Sequence, residues 1–337
     1  MRARRLAAAA LIGALAACGS GAGSGPAVRV TIPPRASLRV ASESLSKAGV
    51  IHAPRFFRIY ASLRKGDRGI KPGTYMMHRG AGWNTVLDDL HRGKGLVHVV
   101  TIPEGWSLSQ IAAAISTKLG QPADSVQAAA RDTALLHELD VPTPTLEGYL
   151  FPDTYTFADG TTARAAVDAM VHRFEQVWKP EWTARLDTLH LSRNDVMALA
   201  AIVEKEARLP EERPVIAAVY LNRLRKGMLL QADPTVQYAL GKHVARVYYK
   251  DLEVDSPYNT YKHAGLPPGP IASPGRASIE AALYPANVPY LYFVAFPDGH
   301  HEFRTDLAGH EKAKLEARRA WDSLDVARRT ADSIHTK

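Results

Sequence analysis

Cysteine is nearly absent from this 337-residue chain: Cys18 stands alone, so no intramolecular disulfide can form and the fold must be held by its core. Metal-ligand spacing is missing too. Thirteen histidines include the adjacent pair His300-His301, yet no HExxH or comparable pattern occurs, and neither a metal nor another cofactor is expected. No arginine/lysine run interleaved with aromatics is present, which argues against nucleic acid as a partner. The glycines of GSGAGSG at 19–25 follow no strand and open no helix, so they read as a flexible tether rather than a phosphate-binding loop. Hydrophobic residues, by contrast, make up 46% of the chain, enough for one large core or two smaller ones.

The N-terminus has a basic start (Arg2, Arg4, Arg5) and an apolar run of 12 residues from Leu6 to Ala17. A spanning helix needs roughly 20 apolar residues, so residues 1–17 read as an export signal. Leu15-Ala16-Ala17-Cys18 resembles a bacterial lipobox, which implies a lipidated Cys18 and a tether over 18–27. The formal net charge is +8, or 8 − 3 = +5 once the three arginines of 1–17 are removed. That balance suits an anionic surface, either bilayer headgroups or wall polymer.

The pattern beyond the tether predicts an α+β fold. VRVTIPPRASLRVASESLSKAGV at 28–50 is a strand, a proline turn, a capping serine and an amphipathic helix. VHVVTIPEGWSLSQIAAAISTKLG at 97–120 repeats the theme, with Thr31-Ile32-Pro33 matching Thr101-Ile102-Pro103 and Ser37-Leu38 matching Ser107-Leu108. The expected division is a small strand-helix module over 28–100, a mixed α/β domain over 101–315 that includes the second strand-helix unit at 100–120, and a charged helical tail over 316–337. Helix is expected over 125–139, 162–177 and most of 192–224, and PYLYFVAF at 289–296 reads as a buried strand.

LSRNDVMALAAIVEKEARLP at 191–210 is a helix with Ser192 and Asp195 at its start. At about 100° per residue, Glu204 and Glu206 point roughly 200° apart and cannot both face one substrate. Glu206 continues the stripe of Leu199, Ile202 and Val203; Glu204 falls with Met197, Ala200 and Ala201. Burial beside bulky apolar groups raises a carboxyl pKa, and the negative end of a helix works in the same direction. Both effects favour Glu206 as a protonated acid. A surface ion pair with Lys205, Arg208 or Arg213 is the competing role for either glutamate. Downstream, Gln231, Asp233, Thr235, Tyr238, Tyr258, Asn259, Thr260 and Tyr261 bring hydroxyl, amide and aromatic groups together, the usual lining for sugar rings.

Several blocks in one order carry a specific resemblance: TIPEGWSLSQIA, LEGYLFPDTYTF, IVEKEA, YLNRLRKGMLLQADPTVQYAL, SPYNTYKHAGLPPGPIASPG, ALYPANVPYLYFVA and HEFRTDLAGHEK. Together they resemble the endolytic murein transglycosylases of the MltG (YceG-like) family, from about residue 28 to about residue 315. The resemblance implies a LysM-like module ahead of a catalytic domain. It places the catalytic glutamate at the second acid of the E-K-E block, Glu206, with Glu204 as the fallback. It further implies cleavage of the MurNAc-GlcNAc bond within nascent glycan strands to leave 1,6-anhydro ends, which limits strand length. Substrate hydrogen bonding would fall to Gln231, Asp233, Thr235, Asn259 and Thr260, and ring stacking to Tyr238, Tyr258 or Tyr261. His301 and His310 match family positions, and spacing alone gives them no role.

Partners implied are peptidoglycan strands, the membrane and a peptidoglycan synthase; the location is the exported face of the inner membrane, with the outer membrane left open. Family members typically carry a transmembrane helix where this chain has its lipobox-like sequence, and the tail beyond about 315 is longer than the resemblance accounts for. Two rivals stand beside this reading. One is a lysozyme-like muramidase with Asp233 or Asp153 as a second carboxylate; the other is a non-catalytic peptidoglycan-binding lipoprotein built on LysM-type modules.

Overall fold

A computed structural model of the chain describes residues 23–64, 69–241 and 247–335, with side chains to residue 324. The signal at 1–17 and the lipidation site Cys18 lie outside the described residues, as does the start of the tether. Among the described residues no helix is long and apolar enough to cross a membrane. The chain divides into two compact units, one of residues up to Val100 together with Tyr155–Thr161, the other of Thr101–Thr154 and everything from Thr162 onward.

The smaller unit runs β1 (Ala27–Ile32), α1 (Leu38–Lys47), α2 (Pro54–Leu63), β2 (Gly73–His78), α3 (Trp83–Arg92) and β3 (Leu96–Thr101), and regains β4 (Thr154–Ala158) later in the chain. The sheet order is β1-β2-β3-β4, with β2 antiparallel to both β1 and β3. Alternation sets the buried face: Val30 and Ile32 of β1 and Tyr75 and Met77 of β2 meet Ala41 and Leu45 of α1, Phe57 and Ala61 of α2, and Leu87 and Leu90 of α3 in one core. Ser37 caps α1 as expected, its hydroxyl accepting from Val40 N. Gly93 closes α3 at φ +76°, and a Cβ there would lie 2.8 Å from Leu96 Cδ1.

The second strand-helix repeat does not form a unit like the first. Its strand, β3, joins the sheet of the smaller unit, whereas its helix, α4 (Leu108–Leu119), belongs to the larger one. Tyr155–Thr161, given by sequence to the catalytic domain, also joins that sheet, because β4 finds its hydrogen-bond partner in β3.

The larger unit continues with α5 (Ala123–Ala129), α6 (Thr133–Glu138), α7 (Ala163–Val177), α8 (Pro180–Leu189), α9 (Arg193–Glu206), α10 (Arg213–Arg225), α11 (Asp233–Ala239), α12 (Arg276–Leu283), β5 (Tyr292–Ala295), β6 (His301–Arg304) and α13 (Leu307–His335). The helix expected over 125–139 is two short ones: the first ends at Ala129, and Asp132 caps the second through Ala134 N and Leu135 N. Only four residues of PYLYFVAF are strand, all half-buried, since β5 pairs with β6 alone in a two-stranded sheet. No break separates the tail from the domain: α13 runs through residue 315, and Ala313 and Ala317 are buried.

At the centre stands α9. Ser192 and Asp195 form its capping box. From Val196 to Val203 every side chain is fully buried, so the helix has no exposed edge over two turns. Its main partner is α12, followed by α10. This is a hydrophobic-all-round helix, as the core of a larger unit requires. The two expected stripes are therefore both covered, and the helix leaves the core only at its ends, through Arg193 and Asp195 in the first turn and Glu204-Lys205-Glu206 in the last.

Candidate active site

The last turn of α9 sends its two acids to different environments. Glu204 is held by two donors and an ion pair: Oε2 accepts from Gly275 N at 3.0 Å and from Ser278 Oγ at 2.7 Å, and Arg213 Nη2 lies 3.7 Å from Oε1. Gly275 is the N-cap of α12, so Glu204 supplies from outside the acceptor that a helix N-terminus lacks. A second carboxylate lies close by: a Cβ at 275 would sit 2.0 Å from Glu104 Cδ, so any larger residue there would displace the Glu104 side chain. Burial, and then the nearby Glu204, push the Glu104 carboxyl above its ordinary value. Glu204 thus ties α9 to α12.

Glu206 opens onto a cleft of about 490 Å³ lined by Tyr220, Arg223, Asp233, Tyr261, Phe293 and His301, among others. Its Oε1 accepts from Tyr220 Oη at 2.9 Å. Among the described residues it forms no ion pair. Burial pushes its carboxyl up to about 7; the Tyr220 bond pulls the other way, and Asp233 adds to the rise. Tyr220 is buried too, and that burial together with Glu206 holds its phenol well above the ordinary range, so it remains a donor.

The cleft's walls are set by groups that do not face one another in sequence. Arg223, one turn after Tyr220 on α10, donates to the carbonyls of Leu229, Leu230 and Leu291, and its guanidinium lies 5.1 Å from the Tyr292 ring centroid. It also reaches Gln231 Oε1 at 3.3 Å, which helps hold Gln231 at its positive φ of 53°. Asp233 accepts from Tyr261 Oη at 2.5 Å. His301 is clamped by Glu212, through Nδ1 at 2.6 Å and its own backbone N at 2.8 Å, and packs edge-on to Phe293. His310 stacks on Tyr292, and burial followed by Lys314 lowers its pKa.

Of the residues expected to touch substrate, Gln231, Asp233 and Tyr261 line this cleft with Glu206. Thr235, Asn259 and Thr260 do not. Thr235 and Thr260 are buried and hydrogen-bonded to each other at 2.9 Å, and Asn259 Nδ2 donates to the carbonyls of Leu252 and Val254. They brace the loop that carries Tyr261. Tyr258 and Tyr238 form a ring pair at 4.8 Å, and Tyr238 lines a second cleft of about 570 Å³ with Glu147, Lys205 and Arg131. Asp153 pairs with Arg173 at 2.7 Å and lines neither cleft.

Sequence reasoning passed over Tyr220, Arg223 and Glu147. The first two share a helix face at i and i+3, a readable signal once the acid is placed. Glu147 is a lone acid inside a buried loop; it accepts from Leu108 N at the start of α4, and burial pushes its carboxyl up to about 7.

The fold and site define a mixed α/β protein in which Glu206, a protonatable acid with no ion pair among the described residues, faces a polar and aromatic cleft, an arrangement suited to general acid-base chemistry. A model of the YceG-like family matches residues 30–316, and the chain belongs to that family. It is 38% identical over 306 residues to a Bacillus subtilis (strain 168) protein named endolytic murein transglycosylase, spanning 85% of this chain and 84% of the relative. A Streptococcus pneumoniae serotype 2 protein of the same name is 30% identical over 327 residues, covering 86% of this chain but 59% of its own length. A 2.6 Å crystal structure of a yceG-like protein from Listeria monocytogenes superposes with a TM-score of 0.63 at 35% identity, over 85% of this chain and 98% of that one.

Proposed function

We propose that this chain is an endolytic peptidoglycan lytic transglycosylase in which Glu206 is the single acid and base. The observation that carries the assignment is the contrast at the end of α9: Glu204 is engaged by Gly275, Ser278 and Arg213, whereas Glu206 faces a cleft with a neutral phenol as its hydrogen-bond donor. A carboxyl raised to about 7 is half protonated near neutrality, as a group that must first give and then take a proton requires. Glu206 protonates the bridging oxygen between MurNAc and GlcNAc, and the C1–O bond breaks. The resulting carboxylate removes the proton of the MurNAc 6-hydroxyl as that oxygen bonds to C1. A 1,6-anhydro end and a free GlcNAc 4-hydroxyl result, with no water consumed.

Gln231, Asp233 and Tyr261 hold sugar hydroxyls. The neighbourhood of Asp233 supports one rival, a muramidase that activates water with a second carboxylate. Mass analysis of products from purified glycan strands separates the two: anhydro ends are expected, and free reducing ends would overturn the transglycosylase reading. Cleavage inside nascent strands at the exported face of the plasma membrane, anchoring through a lipidated Cys18 and work beside a peptidoglycan synthase complete the proposal. Metabolic labelling with a palmitate analogue tests the anchor; unchanged labelling after Cys18→Ser would remove it.

A further inference from the structure

The second helix of the smaller unit has two apolar faces, and only one is used by the core. Phe57 and Ala61 of α2 are buried, with Trp83 edge-on to Phe57 at 5.9 Å. On the other side, Phe56, Ile59 and Leu63 are 63%, 59% and 82% exposed. At about 100° per residue these three lie within a wedge of roughly 60°, with Arg55 roughly 40° beyond one edge and, past Tyr60, Arg64 roughly 80° beyond the other. Residues 48–64 contain three arginines, one histidine and no acid. Arg64 lies over the Tyr60 ring at 5.5 Å, which holds its charge on the Tyr60 side of the wedge.

We propose that this face of α2 docks into the headgroup boundary of an anionic phospholipid bilayer. Large side chains presented along one helical stripe between arginines are what an interfacial helix offers: the apolar wedge enters the acyl boundary while the guanidinium groups meet lipid phosphates. A soluble polyanion would satisfy Arg55 and Arg64 but leave Phe56, Ile59 and Leu63 in water, so the apolar wedge selects lipid over wall polymer. The reach of the chain is compatible with this. β1 begins at Ala27, 27 − 18 = 9 residues after Cys18, a span of at most about 30 Å. The inference rests on the proposed membrane-facing location, and it requires no lipid on Cys18.

The test uses the full chain carrying Cys18→Ser, with a single environment-sensitive dye at Leu63→Cys and, in a separate sample, at Glu43→Cys on exposed α1. Vesicles of phosphatidylcholine alone and with phosphatidylglycerol are added, and soluble polyphosphate serves as the third arm. A blue shift at position 63 with the anionic vesicles, and none at position 43, is expected. Adding Phe56→Ser and Ile59→Ser, both at exposed positions, should weaken partitioning by at least about tenfold. No shift at 63, an equal shift at 43, or the same shift at 63 with polyphosphate would overturn the proposal. Because the dye reports α2 in a chain that cannot be lipidated, failure here and failure of the Cys18 anchor are read separately.

Discussion

Glu206→Gln keeps the size of the side chain and an oxygen to accept from Tyr220 Oη, yet removes the titrating proton. The folded carboxyl titrates at about 7 against an ordinary 4.5. Between those values the folded chain holds a proton that the unfolded chain has lost, so wild-type stability falls as pH rises through the window. Below the window the penalty is absent, and above it the penalty is complete. At ~1.4 kcal/mol per pH unit the ceiling is about 3 kcal/mol. Since the residue as a whole is half-buried, solvent relaxation lowers the expected gain of the glutamine variant to about 1–2 kcal/mol. Urea unfolding of both proteins at about pH 5 and about pH 8 measures it. Tryptophan fluorescence is a fitting probe, because Trp106, Trp178, Trp182 and Trp321 all belong to the larger unit. The variant should gain stability relative to wild type only at the higher pH and should lose glycan cleavage at both. An equal stability difference at the two pH values would refute the desolvated-acid argument, and undiminished cleavage would refute the catalytic assignment.

Wild-type cleavage should decline as pH rises past about 7, where Glu206 ionises; a flat profile to about pH 9 would contradict its role as acid. Tyr220→Phe removes the bond that favours the ionised form, so the alkaline limb should move to higher pH with a loss of roughly tenfold in kcat; an unmoved limb would show that the hydroxyl does not govern the acid. Glu204→Gln leaves Arg213 without its carboxylate and should cost about 1–3 kcal/mol in unfolding free energy while the folded fraction still cleaves; complete loss of cleavage in a stable variant would transfer the catalytic role to Glu204. Asp153→Asn breaks a partly exposed pair with Arg173 and should change stability by under about 1 kcal/mol and activity little, whereas abolished cleavage would restore Asp153 as a second carboxylate.

Local rules were written plainly in the chain. Serines ahead of apolar helical patterns cap helices, Gly93 closes α3, and the strand alternation of β1 and β2 sorts core from surface, because each depends on neighbours a few residues apart. The helical angle between Glu204 and Glu206 was equally legible, and it established that the two acids part company. It did not establish what each meets. Arg213 was among the ion-pair partners the sequence offered, but Gly275 and Ser278 come from a distant segment and Tyr220 from the next helix, and their arrival converts one glutamate into a strut between helices and leaves the other as an acid facing a cleft.

The binding loop shows the same boundary. Sequence grouped Thr235, Asn259 and Thr260 with Gln231, Asp233 and Tyr261 by chemical type alone. Packing separated them, since a hydroxyl or amide buried away from water must take a partner from the protein. Capping and periodicity thus laid out most of the elements, and the family resemblance narrowed the acid to two residues. Only the tertiary structure decided which carboxyl is desolvated without a counter-charge, because desolvation is a property of everything that surrounds a group and not of the residues beside it.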